Sequence, residues 1–176
     1  MNKLIFPLQF AFIMWLVFFI DALIIPINFN KYGILPRHIE GLIGILLMPF
    51  LHANLFHLIS NTIPIIILLC IVSFFFSKNL EIVTSISTLG GFFLWLVGRN
   101  SYHVGASLLI FGLASFIIFF GIFKKQFFPL ILSILICITY GTSLLIGLLP
   151  IFPGVSWEAH LCGTVAGFIT AKQLAK

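Results

Sequence analysis

Residues 53–76 read ANLFHLISNTIPIIILLCIVSFFF and contain no Lys, Arg, Asp or Glu. A helix needs about 20 mainly apolar residues to cross the hydrocarbon core of a bilayer, and this run is long enough. Its apolar residues follow one another without the alternation that marks a strand of a transmembrane β-barrel. The stretch therefore predicts a membrane-spanning helix.

The composition of the whole chain agrees with this prediction. Of the 176 residues, 61% are hydrophobic and only 7% are charged, whereas about 25% are charged in a soluble domain. These values exclude a soluble globular protein, a disordered chain, a coiled coil and a nucleic-acid-binding protein. The three cysteines all lie in apolar runs, which favours packing roles over disulfides. We expect a single transmembrane domain over residues 1–176.

Five further stretches have the length and polarity of membrane helices, namely 4–26, 82–98, 105–123, 127–149 and 157–174. The sequence thus predicts an all-α membrane protein built as a bundle of six transmembrane helices. Basic side chains predict its orientation, because Lys and Arg are enriched in cytoplasmic loops. With the N-terminus inside, six lysines are cytoplasmic, whereas Lys31, Arg37 and Arg99 are outside. Both termini are therefore predicted to be cytoplasmic.

Four polar side chains fall at one depth in this arrangement. His57 and Asn61 lie near the outer end of the second span, Ser107 near that of the fourth, and His160 near that of the sixth. At a rise of 1.5 Å per residue, each lies roughly 5–12 Å below the outer end of its span. Polar groups at membrane depth are costly, so each is a functional candidate. The alternative is that they only hydrogen-bond neighbouring helices.

Ser107 and His160 suit nucleophilic catalysis if their helices pack together. A histidine base must approach a serine nucleophile within about 2.6–3.2 Å. Small residues recur every four positions in the sixth span, including Gly163 and Gly167, and such a stripe lets a neighbouring helix backbone come close. Glu158 lies two residues before His160 and points to a different helix face. We therefore expect a Ser–His dyad without a carboxylate.

The developing oxyanion of such a reaction needs hydrogen-bond donors aimed at it. The backbone N–H of Ser107 and the side chains of His57 and Asn61 are the candidates, and the last two share a helix face at i, i+4. The apolar, turn-rich segment 150–156 suits a cap over the site.

These motifs together resemble those of the rhomboid family of intramembrane serine proteases. The resemblance rests on HANLFHLISN at 52–61, GAS at 105–107 and AHLCGTVAG at 159–167. It implies Ser107 as nucleophile, His160 as base, and His57 and Asn61 as oxyanion-hole side chains. The supporting residues that it implies are His52, Gly105, Phe111, Gly163 and Gly167. The family cleaves transmembrane proteins near the membrane surface without a metal or other cofactor.

Two positions depart from the family pattern. In the first outer loop Ile43-Gly44 stands where the family commonly carries Trp-Arg, and the second departure lies beside the nucleophile. The usual G-x-S-G reads G-A-S-L here, so that Leu108 stands in place of the last glycine. A leucine adds bulk and removes the conformational freedom of glycine, and we expect it to narrow the substrate cleft or obstruct the oxyanion site. This motivates an alternative reading, a catalytically impaired pseudoprotease that binds membrane proteins.

Two other classes remain as weaker alternatives. A small transporter or channel also uses intramembrane His and Asn, but here the polar groups cluster near one face. A zinc protease lacks its H-E-x-x-H signature in this sequence. The expected partners are transmembrane substrates and the lipid bilayer, with no nucleic acid, and the expected location is a bacterial plasma (inner) membrane. The sequence does not indicate an oligomeric state.

Overall fold

A computed structural model describes residues 3–24, 28–151 and 154–176. Within these ranges the chain forms six long helices and no β-strand. They are α1 (Ile5–Phe19), α2 (Leu55–Phe75), α3 (Asn79–Val97), α4 (Ser107–Lys124), α5 (Phe127–Gly147) and α6 (Trp157–Leu174). Each coincides with a predicted span to within a few residues. The predicted end of the first span, residues 25–26, lies outside the described residues.

Four of these helices are long and apolar enough to cross a membrane by length and composition. They are α1, continued by a π-helical turn to Leu23, and α2, α3 and α4. In α5 the segment Phe127–Thr142 is a shorter apolar helix, and α6 carries Glu158 and Lys172 near its two ends. The protein is therefore an integral, multi-pass helical membrane protein.

The packing of α4 against α6 positions the candidate site. A Cβ atom added to Gly163 would overlap the backbone carbonyl of Leu108, and one added to Gly167 would overlap that of Gly112. Glycine at both positions lets the two helix backbones touch, as small residues do in membrane proteins. The helix that approaches the small-residue stripe of α6 is therefore α4, which meets the condition set for a Ser107–His160 pair.

The N-terminal half of α5 is also fixed to α4. The hydroxyl of Ser133, which is buried, lies within 3.0 Å of the carbonyl oxygens of Ile117 and Ile118 in α4. A Cβ atom on Gly121 would overlap the Ser133 hydroxyl oxygen and the Pro129 carbonyl. The two helices therefore meet closely at their connected ends.

The segment between α1 and α2 packs against the C-terminal end of α3 and the loop before α4. It is built from short helical turns, Phe29–Tyr32, Ile39–Ile43, Gly44–Leu47 and Met48–Phe50. Backbone bonds pair Ile34 with His103, and the indole of Trp95 donates to the carbonyl of His38 at 2.8 Å. At the start of this segment Asp21 accepts from the backbone N–H of Phe29 at 2.8 Å. The segment is therefore a bound part of the fold.

Candidate active site

Ser107 is the first residue of α4, and a glycine turn precedes it. Gly105 has φ +110°, a conformation that L side chains rarely adopt. Its N–H donates to the carbonyl of Met48 at 3.0 Å, which holds the turn in place. The first N–H groups of a helix have no partner inside the helix, so the Ser107 N–H is available to a ligand. Ser107 itself is half-buried.

The ring of His57 lies directly against this turn. A Cβ atom on Gly105 would lie 2.5 Å from His57 Nε2 and 2.6 Å from its Cε1, so that any larger residue at 105 would displace the ring. The side chain of Asn54 caps α2 by accepting from the backbone N–H of His57 at 2.9 Å. The structure thus brings His57 beside the start of α4.

Asn61 lies one turn further along α2 and is buried. Its amide nitrogen donates to the carbonyl of His57 at 2.8 Å. Because the amide carries two N–H donors, one remains for a ligand. His57 and Asn61 are therefore held as one unit on the same face of α2.

His52 lies just before α2 and packs edge-to-face on His57, with ring centroids 5.1 Å apart. It is only 4% exposed, and neither of its ring nitrogens has a hydrogen-bond partner among the described residues. Burial, followed by the nearby His57, lowers the pKa of His52 to about 4. His52 is thus a neutral ring that supports His57 by packing.

His160 lies in the first turn of α6, whose cap is the Ser156 side chain. Its ring stacks on Phe111 of α4 with centroids 4.0 Å apart and planes 7° apart. Its Nδ1 lies 2.7 Å from the carbonyl oxygen of Gly147, the last residue of α5. A carbonyl oxygen only accepts hydrogen bonds, so Nδ1 carries the proton and Nε2 carries a free lone pair.

Side chains from α2 and α6 therefore lie near the start of α4, which carries Ser107. Ser107 lies one turn before Phe111 on α4, and Phe111 stacks on His160. Among the described contacts there is no hydrogen bond between the Ser107 hydroxyl and His160, and apo active sites often show such longer separations. The arrangement provides a hydroxyl, a neutral imidazole with a free nitrogen, and nearby N–H donors.

Comparison with known proteins identifies the family. A family model for the Rhomboid domain matches residues 40–176, which include α2 to α6. This chain belongs to the rhomboid family. It is also similar to an uncharacterized protein of Mycobacterium tuberculosis (strain ATCC 25618 / H37Rv), with 35% identity over 96% of this chain and 73% of the relative. A relative from Mycobacterium leprae (strain TN), likewise uncharacterized, is 33% identical over 96% of this chain and 70% of its own length.

The departure at Leu108 has a different consequence in this rhomboid chain from the one expected. Leu108 is buried in a cluster with Leu94, Ala159 and Cys162, and its Cδ2 would lie 2.9 Å from a Cβ atom on Gly90 of α3. The leucine thus fills the space between α3 and α6. This packing gives no support to the expected obstruction of the oxyanion site.

Gly147 is a site residue that was not predicted from the sequence. A glycine followed by Pro150 near the end of an apolar run signals a helix C-terminus, where the last carbonyl groups have no partner inside the helix. That signal predicts a free carbonyl but does not say which side chain it meets. The predicted cap at 150–156 includes residues 152 and 153, which lie outside the described residues.

Hydrogen bonds of His103 hold the loop before α4 against the start of α6. His103 is buried, its Nε2 donates to the carbonyl of Arg99 at 3.0 Å, and its Nδ1 accepts from the Ser156 hydroxyl at 2.5 Å. Burial lowers the pKa of His103. Arg99 donates to the carbonyl of Val155 at 2.7 Å and lies 3.7 Å from Glu158. Glu158 therefore pairs with Arg99, on another side of the helix from His160.

Proposed function

We propose that this rhomboid protein is an intramembrane serine endopeptidase that cleaves transmembrane proteins near the outer face of the membrane. Ser107 is the nucleophile and His160 the general base. The observation that carries the proposal is the state of His160. Its ring is stacked on Phe111 and bonded through Nδ1, which leaves Nε2 free at the end of the bundle where α4 begins.

The reaction follows from these groups. His160 Nε2 takes the proton of the Ser107 hydroxyl as its oxygen attacks the scissile carbonyl carbon. When the tetrahedral intermediate collapses, the carbon–nitrogen bond breaks and His160 returns the proton to the leaving amine. Water then attacks the serine ester with the same base, and Ser107 is released with its proton restored. No cofactor takes part in any of these steps.

The negative oxygen of the intermediate needs donors that are already in place. The proposed donors are the Ser107 N–H at the start of α4, where the helix dipole also favours negative charge, the His57 ring and the free N–H of Asn61. Loss of one such donor typically reduces the rate by about 10²- to 10³-fold. The contact of His57 with Gly105 supports its place beside the Ser107 N–H.

The proposal includes the topology that this chemistry requires. All six helices cross the membrane with both termini in the cytoplasm, which puts the starts of α2, α4 and α6 at the outer face. The excess of lysines at the opposite end supports this orientation. The mycobacterial relatives support a bacterial plasma membrane as the location.

An open groove between α2 and α5 supports access from the lipid. It has a volume of about 550 Å³ and is lined mainly by apolar residues, with Ser60, Thr139 and Tyr140 as its polar members. A substrate helix reaches the site through this groove, unwinds at its outer end and presents a peptide bond to Ser107. The pseudoprotease alternative rested on Leu108, whose buried packing does not favour it.

Reaction of the detergent-purified protein with a fluorophosphonate probe tests the proposal without a known substrate. We expect covalent labelling of the parent and its loss in Ser107→Ala and His160→Ala. Ser85→Ala, a half-buried serine of α3, is the matched control and should retain the label. Labelling that persists in Ser107→Ala contradicts the proposed nucleophile. An unlabelled but folded parent contradicts the proposed activity.

A further inference from the structure

The carbonyl oxygen of Gly147 is available because α5 ends there. The next two backbone N–H groups, those of Leu148 and Leu149, donate to the carbonyls of Leu145 and Ile146. The Gly147 oxygen instead meets His160 Nδ1 at 2.7 Å. We propose that Gly147 is the positioning residue of the catalytic base and that its carbonyl fixes the Nδ1–H tautomer of His160. The proposal rests on the function proposed above.

Fixing the tautomer matters because a neutral imidazole has one proton for two nitrogens. If the proton lies on Nε2, that nitrogen has no lone pair with which to accept the proton of Ser107. In soluble serine proteases an aspartate selects the correct tautomer, and its amide replacement reduces turnover by about 10⁴-fold. Here Glu158 pairs with Arg99 instead, and the carbonyl of Gly147 occupies the place of the orienting acceptor.

Only glycine permits this contact. A Cβ atom at position 147 would overlap Cζ of Phe111, and it would lie 3.1 Å from Cε1 of that ring and 3.2 Å from His160 Nδ1. A side chain at 147 must therefore push the end of α5 away from the stacked pair of rings. Displacement of the backbone then lengthens the hydrogen bond to His160.

Different contacts hold the two ends of α5. Its N-terminal half is held to α4 by Ser133 and Gly121, and its middle, between Leu135 and Tyr140, borders the groove shared with α2. The bond from Gly147 to His160 joins the outer end of α5 to the site. The tautomer of His160 therefore depends on the position of the C-terminal end of α5.

The test compares Gly147→Ala with Gly141→Ala. Both substitutions add one methyl group to α5, but a Cβ atom at Gly141 has no neighbour within 4 Å. We expect Gly147→Ala to slow fluorophosphonate labelling by at least about 10-fold. The upper limit is the loss caused by a wrong tautomer, about 10⁴-fold. Gly141→Ala should label at the parent rate. Equal rates for the parent and Gly147→Ala overturn the proposal.

Nitrogen NMR of protein labelled with ¹⁵N-histidine provides a readout that a general loss of stability does not move. The His160 signals are assigned by their absence in His160→Gln. We expect one protonated Nδ1 and one unprotonated Nε2 in the parent, and loss of this pattern in Gly147→Ala, with the signals of His103 unchanged as a control for folding.

The same spectrum separates the two proposals. If the folded parent is not labelled by the probe, the proposed activity fails, whereas an Nδ1–H signal from its His160 still supports the positioning by Gly147. If Gly147→Ala does not fold, the parent spectrum alone decides, because an Nε2–H tautomer of His160 overturns the inference without any variant.

Discussion

The burial of His52 predicts that the protein loses stability in mild acid. His52 has a pKa of about 4 in the folded protein and 6.5 as an ordinary histidine. Between these values the unfolded chain binds a proton that the folded chain does not, so the free energy of unfolding falls as the pH falls. At 1.36 kcal/mol per pKa unit, the loss is about 2 kcal/mol at pH 5 and about 3 kcal/mol below pH 4. At pH 7.5 and above, where neither the folded nor the unfolded chain binds this proton, His52 contributes almost no pH dependence.

The assay is equilibrium unfolding in mixed micelles at pH 7.5, 6 and 5, followed by tryptophan fluorescence. His52→Leu removes the titrating group and should reduce the stability difference between pH 7.5 and pH 5 by about 2 kcal/mol. His38→Gln is the matched control, because His38 is exposed at the protein surface. His103, whose pKa burial also lowers, adds a pH dependence that remains in both variants. If His52→Leu keeps the full pH dependence of the parent, the reasoning from burial is refuted.

Two further predictions concern the helix contacts and the oxyanion site. Gly163→Ala places a methyl group against the backbone of Leu108, and we expect it to lower the free energy of unfolding by about 1–3 kcal/mol. Gly141→Ala is its control, and equal melting temperatures would contradict the tight crossing. Asn61→Ala should slow probe labelling by about 10²-fold or more while Ser60→Ala, on the groove side of α2, leaves the rate unchanged. A parent-like rate in Asn61→Ala would remove Asn61 from the proposed oxyanion hole.

Sequence patterns predicted the helices because hydrophobic length is a local property. The bounds of α2, α4 and α6 follow from apolar runs that end at polar residues, glycine or proline. The shared helix face of Gly163 and Gly167 also predicted that a helix backbone comes close to α6, because such stripes act through backbone approach, although it did not indicate that this helix is α4. These features require no knowledge of how distant residues meet.

The partners of individual polar atoms were not predictable in the same way. The acceptor for His160 is a backbone carbonyl of α5, and every helix C-terminus offers such carbonyls, so its identity depends on the tertiary arrangement. From the sequence alone, Leu108 is expected to obstruct the site beside the nucleophile. In the structure its position on α4 directs the side chain towards Gly90 instead. His103 gave no signal of its bond to Ser156, because that bond joins two loops.

The burial of α4 has a consequence for the way in which activity is lost. Of the four clear spans, α4 is the most enclosed, with 61% of its length buried against 22–39% in the others. Local unfolding begins where contacts are fewest, and the outer end of α5, where Leu145 is 69% exposed, is such a place. Harsh detergent should therefore unfold the C-terminal end of α5 first. The proposed base His160 then loses its contact with the Gly147 carbonyl, while Ser107 stays on an intact helix. We expect inactivation of this kind to be reversible, so that return to lipid restores labelling by the fluorophosphonate probe.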